Sequence, residues 1–193
     1  PSFEAVSADS EQGKKQYAIA TRLQQSEHDH VRGRRLIQRH GNKIVVQNPP
    51  SKPLDTAEMD AVYALPFMRD YHPSYEAAGG VPGIAEVKFS VIHNRGCYGA
   101  CNFCSLAYHQ GRYISVRSHE SVIAEVEKIT KMPDFKGYIH DIGGPTANFR
   151  APSCKKQEKC GLCADKKCLA PEKCPALEVD HSDYLSLLRK LRQ

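Results

Sequence analysis

The placement of eight cysteines constrains this chain more than any other feature of its sequence. None occurs before residue 97, and all eight then fall in two tight groups, residues 97–104 and 154–174. Buried structural thiols would be scattered by the core pattern, whereas short spacings bring several thiolates to one metal. A disulfide framework is the competing use. The opening residues, PSFEAVSADSEQGKKQ, hold no apolar run of the secretory kind, which disfavours it. No stretch approaches 18 uncharged apolar residues, so no membrane span is expected, and the chain is read as cytoplasmic. The formal net charge of +5 is mild for 193 residues and reads as a solvated surface. The basic run RGRR at 32–35 is short and lacks interleaved aromatics, so it is weak support for a nucleic-acid partner. Residue 1 is not Met, so it is not expected to be the start of the gene product; and because a parallel sheet of two strands cannot cover itself, the chain is expected to be the front portion of a longer protein or to dock on something else.

The periodicities predict two domains. Residues 1–83 read as an α+β segment. A polar helix is predicted over 12–32, where good helix formers dominate. A hairpin follows, its strands at Leu36–Gln38 and Lys43–Gln47 flanking His40, Gly41 and Asn42, with Pro49 and Pro50 ending it. Asp55 with Glu58 three positions on predicts a boxed helix start. The Pro/Gly-rich stretch 65–83 marks the boundary. Residues 84–193 change pattern. Val87, Phe89 and Val91 predict a strand, Ser118 caps a helix carrying Val122, Ile123, Val126 and Ile129, and 137–142 predicts a second strand. Strand, loop, helix, strand is a βαβ unit, which makes the strand pair parallel. A last helix at 184–192 would turn Leu185, Leu188 and Leu191 to one side.

The first cysteine group reads NRGCYGACNFC, with Cys97, Cys101 and Cys104 in C-x3-C-x2-C spacing directly after the first predicted strand. Soft thiolates select zinc, copper(I) or iron–sulfur. Structural zinc wants a fourth ligand, for which His93 and His109 are the nearest candidates. A triplet rather than two separated pairs argues against zinc. Three ligands on a four-iron cluster leave one iron open for a substrate.

This spacing, with Phe103 just before the last cysteine, resembles the signature of the radical SAM superfamily. The stretch 86–149, together with VVQNPPSKPL, DYHPSYE and the cysteine-rich segment ending in CP, closely resembles the YgiQ-type radical SAM proteins. The resemblance implies a 4Fe-4S cluster on Cys97, Cys101 and Cys104. It implies S-adenosyl-L-methionine chelated on the fourth iron and reductively cleaved to a 5′-deoxyadenosyl radical. It also implies an electron donor such as flavodoxin or ferredoxin, and a partial (β/α) barrel of which this chain carries about the first two units. Phe103, Gly143 and Gly144 are the implied cofactor-binding residues. The two glycines stand where the family has a Gly-Gly-Glu-like turn, although Pro145 replaces the acidic residue. His109, Gln110, Arg112 and Arg117 follow the cluster loop, where surface or packing roles compete with binding. Asp141, on the second strand, divides evenly between cofactor and edge roles. His28 and His30, two apart, do not share a helix face and are not read as metal ligands.

The second group, Cys154, Cys160, Cys163, Cys168 and Cys174, sits in a predicted insertion at 152–176 rich in lysine. Cationic neighbours favour thiolates. A second iron–sulfur cluster, a zinc site using four of the five, and free thiols all remain open. The competing function for the whole chain is a zinc-binding, RNA-interacting module without catalysis.

Overall fold

The computed structural model describes residues 1–145 and 147–193. In chain order the helices are α1 (Phe3–Ser7), α2 (Glu11–Ser26), α3 (Thr56–Tyr63), α4 (Ile84–Val87), α5 (Leu106–His109), α6 (His119–Thr130), α7 (Gln157–Cys160) and α8 (Ser182–Lys190). The strands are β1 (Leu36–His40), β2 (Lys43–Gln47), β3 (Ser90–Ile92), β4 (Asn94–Arg95), β5 (Ser115–Val116) and β6 (Asp141–Gly143). The architecture is mixed α/β, with three two-stranded sheets and no closed barrel among the described residues.

Two compact units share the chain, each built from three separate segments. One comprises Pro1–Pro53, Cys97–Arg112 and Pro152–Glu178; the other comprises Leu54–Gly96, Tyr113–Ala151 and Val179–Gln193. The boundary expected at residue 83 falls inside the second of these.

In the first unit, the Ser10 side chain accepts from the Gly13 amide and starts α2, which ends at Ser26, short of the expected residue 32. The chain then tightens. The Asp29 amide donates to Glu27, and the Gly33 amide donates to Asp29. β1 and β2 pair antiparallel from Leu36↔Gln47 to His40↔Lys43. Gly41 and Asn42 are the two loop residues, with Gly41 at φ +58°, the left-handed geometry such turns demand.

In the second unit, Asp55 and Glu58 close a reciprocal capping box on α3. The Ser118 hydroxyl accepts from the Ser121 amide and caps α6. β3 and β6 pair in parallel, Val91 opposite Ile142, with α6 between them in sequence, so the βαβ unit is present. Val91, Val122, Ile129 and Leu187 form its buried apolar cluster, with Phe89, Val126, Phe135 and Leu191 against it.

Three elements depart from expectation. β3 begins at Ser90, and Val87 closes a helical turn, 57% exposed. Arg69 donates to the carbonyls of Lys88 (3.0 Å) and Ser90 (2.7 Å), so those acceptors are taken by a side chain rather than by a longer ladder. The stretch 65–83 is not all loop, since Pro73–Ala78 forms a 3-10 helix. The terminal helix buries Leu187 and leaves Leu185 49% exposed.

Candidate functional site

The first cysteine group is a loop pinned at both ends. Gly96 precedes it at φ +85°, where a β-carbon would stand 1.7 Å from the Tyr113 carbonyl oxygen; no side chain fits. The Cys97 amide donates to the Gly111 carbonyl at 3.0 Å and closes the loop from 97 to 111. Inside it, the Cys104 amide donates to the Cys101 carbonyl at 3.1 Å.

Gly99 opens the space between sulfurs. A β-carbon there would lie 3.3 Å from Cys97 Sγ and 3.9 Å from Cys101 Sγ. Both thiols therefore flank the bare side of one glycine, a cradle that even a methyl group would crowd. Tyr98, 1% exposed, supports the loop from within, and its phenol is pushed up to about 12 by burial first, then by the neighbouring Cys168 and Cys97.

Cys101 and Cys104 stand on the wall of a cleft of about 240 Å³. Its other walls include Arg22, His28, Arg112 and Lys166. His28 is held below its ordinary pKa by burial and then by the Arg112 charge, so it is neutral at pH 7. Sequence reasoning passed over Arg22 and weighed His28 only as a metal ligand. They lie at the end of α2 and just beyond it, and only the folded chain brings them to the cysteines.

Phe103 is 94% exposed and does not line this cleft. Gly143 and Gly144 lie in the other unit, at the end of β6. The Gly143 carbonyl accepts from the His93 amide at 2.8 Å, and a β-carbon on Gly144 would meet Asn94 Oδ1 at 1.9 Å. Asn94 is fully buried, and neither Oδ1 nor Nδ2 finds a hydrogen-bond partner among the described residues. The Asp141 carboxylate folds over Gly143, 2.2 Å from the position of a β-carbon. Arg117 is structural: 1% exposed, it donates to the Ile92 carbonyl at 2.8 Å, pairs with Glu125, and sits 4.2 Å over the Tyr63 ring.

The second cysteine group lies in the same unit as the first. All eight cysteines are free thiols. The Cys174 thiol is held below its ordinary value, chiefly by the Ala176 amide, against the opposing effect of burial, with Lys166 adding to the lowering. Among the described residues, no three His, Cys, Asp or Glu side chains are already drawn into a metal-coordinating arrangement. No described helix is long and apolar enough to cross a membrane.

The Radical SAM N-terminal family matches residues 1–90. A UPF0313 protein of Clostridium botulinum strain Okra is 57% identical over 193 residues, covering 100% of this chain and 29% of its own length. A UPF0313 protein of Clostridium perfringens strain SM101 is 53% identical over 193 residues, covering 100% of this chain and 28% of its own. The chain thus spans less than a third of the length of these curated relatives. No solved structure matches it. Every residue of the chain thus aligns with the N-terminal part of UPF0313 proteins at 53–57% identity, and residues 1–90 carry the match to the Radical SAM N-terminal family.

Proposed function

We propose that this chain carries the cluster-binding loop of a radical SAM enzyme, with Cys97, Cys101 and Cys104 as the ligands of a 4Fe-4S cluster. The observation that carries this reading is the pair of sulfurs flanking the bare face of Gly99, with Cys101 and Cys104 opening onto one cleft. When bound, such a cluster supplies the electron that cleaves S-adenosylmethionine to a 5′-deoxyadenosyl radical. The residues present suit it. Three thiolates are the soft donors iron–sulfur requires. Arg22, Arg112 and Lys166 on the cleft walls offset an anionic cluster and attract a carboxylate. The buried Tyr98 keeps the loop's inner side dry. In the other unit, the unpartnered amide of Asn94 beside Gly143 and Gly144 supports a polar ligand at that glycine turn.

β3, α6 and β6 are then the start of the partial barrel that begins near residue 84, and a reducing compartment such as the cytoplasm suits eight free thiols. A flavodoxin- or ferredoxin-type protein would deliver the electron. The zinc-binding RNA module is the weaker reading, since the first group is a triplet in sequence and not the two separated pairs that structural zinc sites use.

Anaerobic reconstitution of the full-length protein tests the proposal. Brown protein with about four irons per chain that releases 5′-deoxyadenosine under a reductant is expected, with both properties lost in Cys101→Ala. Zinc in place of iron at the triplet would overturn it.

A further inference from the structure

We infer that Cys154, Cys163, Cys168 and Cys174 form a second metal site, four thiolates for a single zinc ion, and that Cys160 takes no part. This site uses none of the three thiols of the cluster loop, so its test is separate from the test of that loop.

The geometry selects four of the five cysteines. Cys154, Cys163, Cys168 and Cys174 line one hollow of about 30 Å³. Cys160 does not line it and stands at the end of α7; it is exposed, as Cys163 is, so the lining and not the exposure separates them. The hollow of about 30 Å³ has the volume of a water molecule or two, a size that suits one ion. Four sulfur donors around one ion is the ordinary structural zinc site.

The loop that carries the four thiols is built rather than loose. The Glu178 amide donates to the Ser153 carbonyl at 2.8 Å and closes the segment into a ring. Gln157, 2% exposed, accepts from the Ser153 amide at 3.1 Å and donates to the Arg112 carbonyl at 3.0 Å, fixing the residue before Cys154. Asp29 accepts from the Leu162 amide at 2.8 Å and fixes the residue before Cys163. The Cys174 amide donates to the Cys168 carbonyl at 2.9 Å, joining the last two. These anchors do for the four thiols what outer-shell hydrogen bonds do around known metal ligands.

Charge agrees. Four thiolates on a dication leave two negative charges, and Arg112, Lys166 and Lys167 line the same hollow. The remaining step, drawing the sulfurs in to bonding distance, is what the ion itself contributes, since thiolate sites rarely preform without metal.

The test uses the full-length protein and a variant with Cys97, Cys101 and Cys104 all changed to Ser, which removes the first site. Both are purified anaerobically, loaded with zinc, and mapped by alkylation and mass spectrometry. About one zinc per chain should persist in the triple variant. Cys154, Cys163, Cys168 and Cys174 should resist alkylation together while Cys160 reacts, and a strong chelator should expose the four at once. Cobalt substitution should give the intense visible bands of a tetrahedral thiolate site, lost in Cys163→Ala and kept in Cys160→Ala. The mapping on the parent protein needs no folded variant. Iron and sulfide at this site, no metal beyond the triplet, or protection that includes Cys160 would each overturn the inference.

Discussion

The unit made of Leu54–Gly96, Tyr113–Ala151 and Val179–Gln193 gathers around Val91, Val122, Ile129 and Leu187. In the unit that holds all eight cysteines, Tyr98, Ala100 and Leu162 are the buried apolar residues among those described. Two units of nearly equal length thus rely on different materials. The first kind of order comes from area removed from water, about 25 cal/mol per Å² of apolar surface. The second rests on hydrogen bonds from buried polar side chains, Glu27, Asp29 and Gln157, and on whatever the thiols hold. A domain with so small an apolar core ordinarily needs a metal or a cross-link. A metal held by these cysteines would therefore serve the architecture of their unit as well as its chemistry.

The largest effect that sharpens this contrast is Leu187→Ala. Truncating a fully buried leucine should cost about 2–5 kcal/mol, and hydrogen exchange should show the loss along β3, α6 and β6 with the cysteine loops unchanged. Equal loosening of both units would break the contrast.

Next comes a pH effect confined to the apolar unit. His93 is fully buried and held down to about 4, by burial first and then by Arg150, whose Nη1 donates to His93 Nδ1 at 3.3 Å. Between that value and the unfolded value of 6.5, the unfolded chain binds the extra proton. Stability contributed by the neutral ring is therefore fully present above pH 6.5 and is lost as pH falls toward 4. The full loss is about 3 kcal/mol. Comparing denaturant midpoints from pH 7 to 4 for the parent and His93→Gln should show a flatter profile in the variant; parallel profiles would rule out this role for the ring.

The smallest is Gln157→Ala, which strands the Ser153 amide and the Arg112 carbonyl. About 1–3 kcal/mol should be lost, read as faster exchange over 152–178 with the core around Val91 unaffected. Slower alkylation of the cysteines in this variant would contradict the anchoring role.

Local chemistry was legible wherever it was self-sufficient. Gly41–Asn42 between alternating runs dictated the hairpin, Asp55 with Glu58 dictated a capped helix, and Ser118 with Val122 and Ile129 dictated α6. The three clustered thiols identified their loop for the same reason. What could not be read was set by distant partners. Val87 alternates properly with Phe89 and Val91, yet Arg69, far upstream, occupies the carbonyls that a longer strand would use. Leu185 and Leu187 lie on different faces of α8, and only the position of Val91 and Ile129 decides which face is buried. His28 and Arg22 gained their place beside Cys101 from chain segments more than 70 residues apart in sequence, which no periodicity encodes.

The bond from the Leu162 amide to Asp29 spans 133 residues. On a ribosome adding 5–20 residues per second, roughly 7–27 s separate the emergence of the two partners. In the folded chain the Asp29 carboxylate is also held by near neighbours, accepting from the Val31 amide at 2.9 Å and from Arg32 Nε at 3.3 Å, bonds that need no residue beyond 32. The acceptor can thus be shaped at the start of synthesis and receive its donor near the end. The cysteine-bearing segment arrives late, at a landing point made ready before it exists.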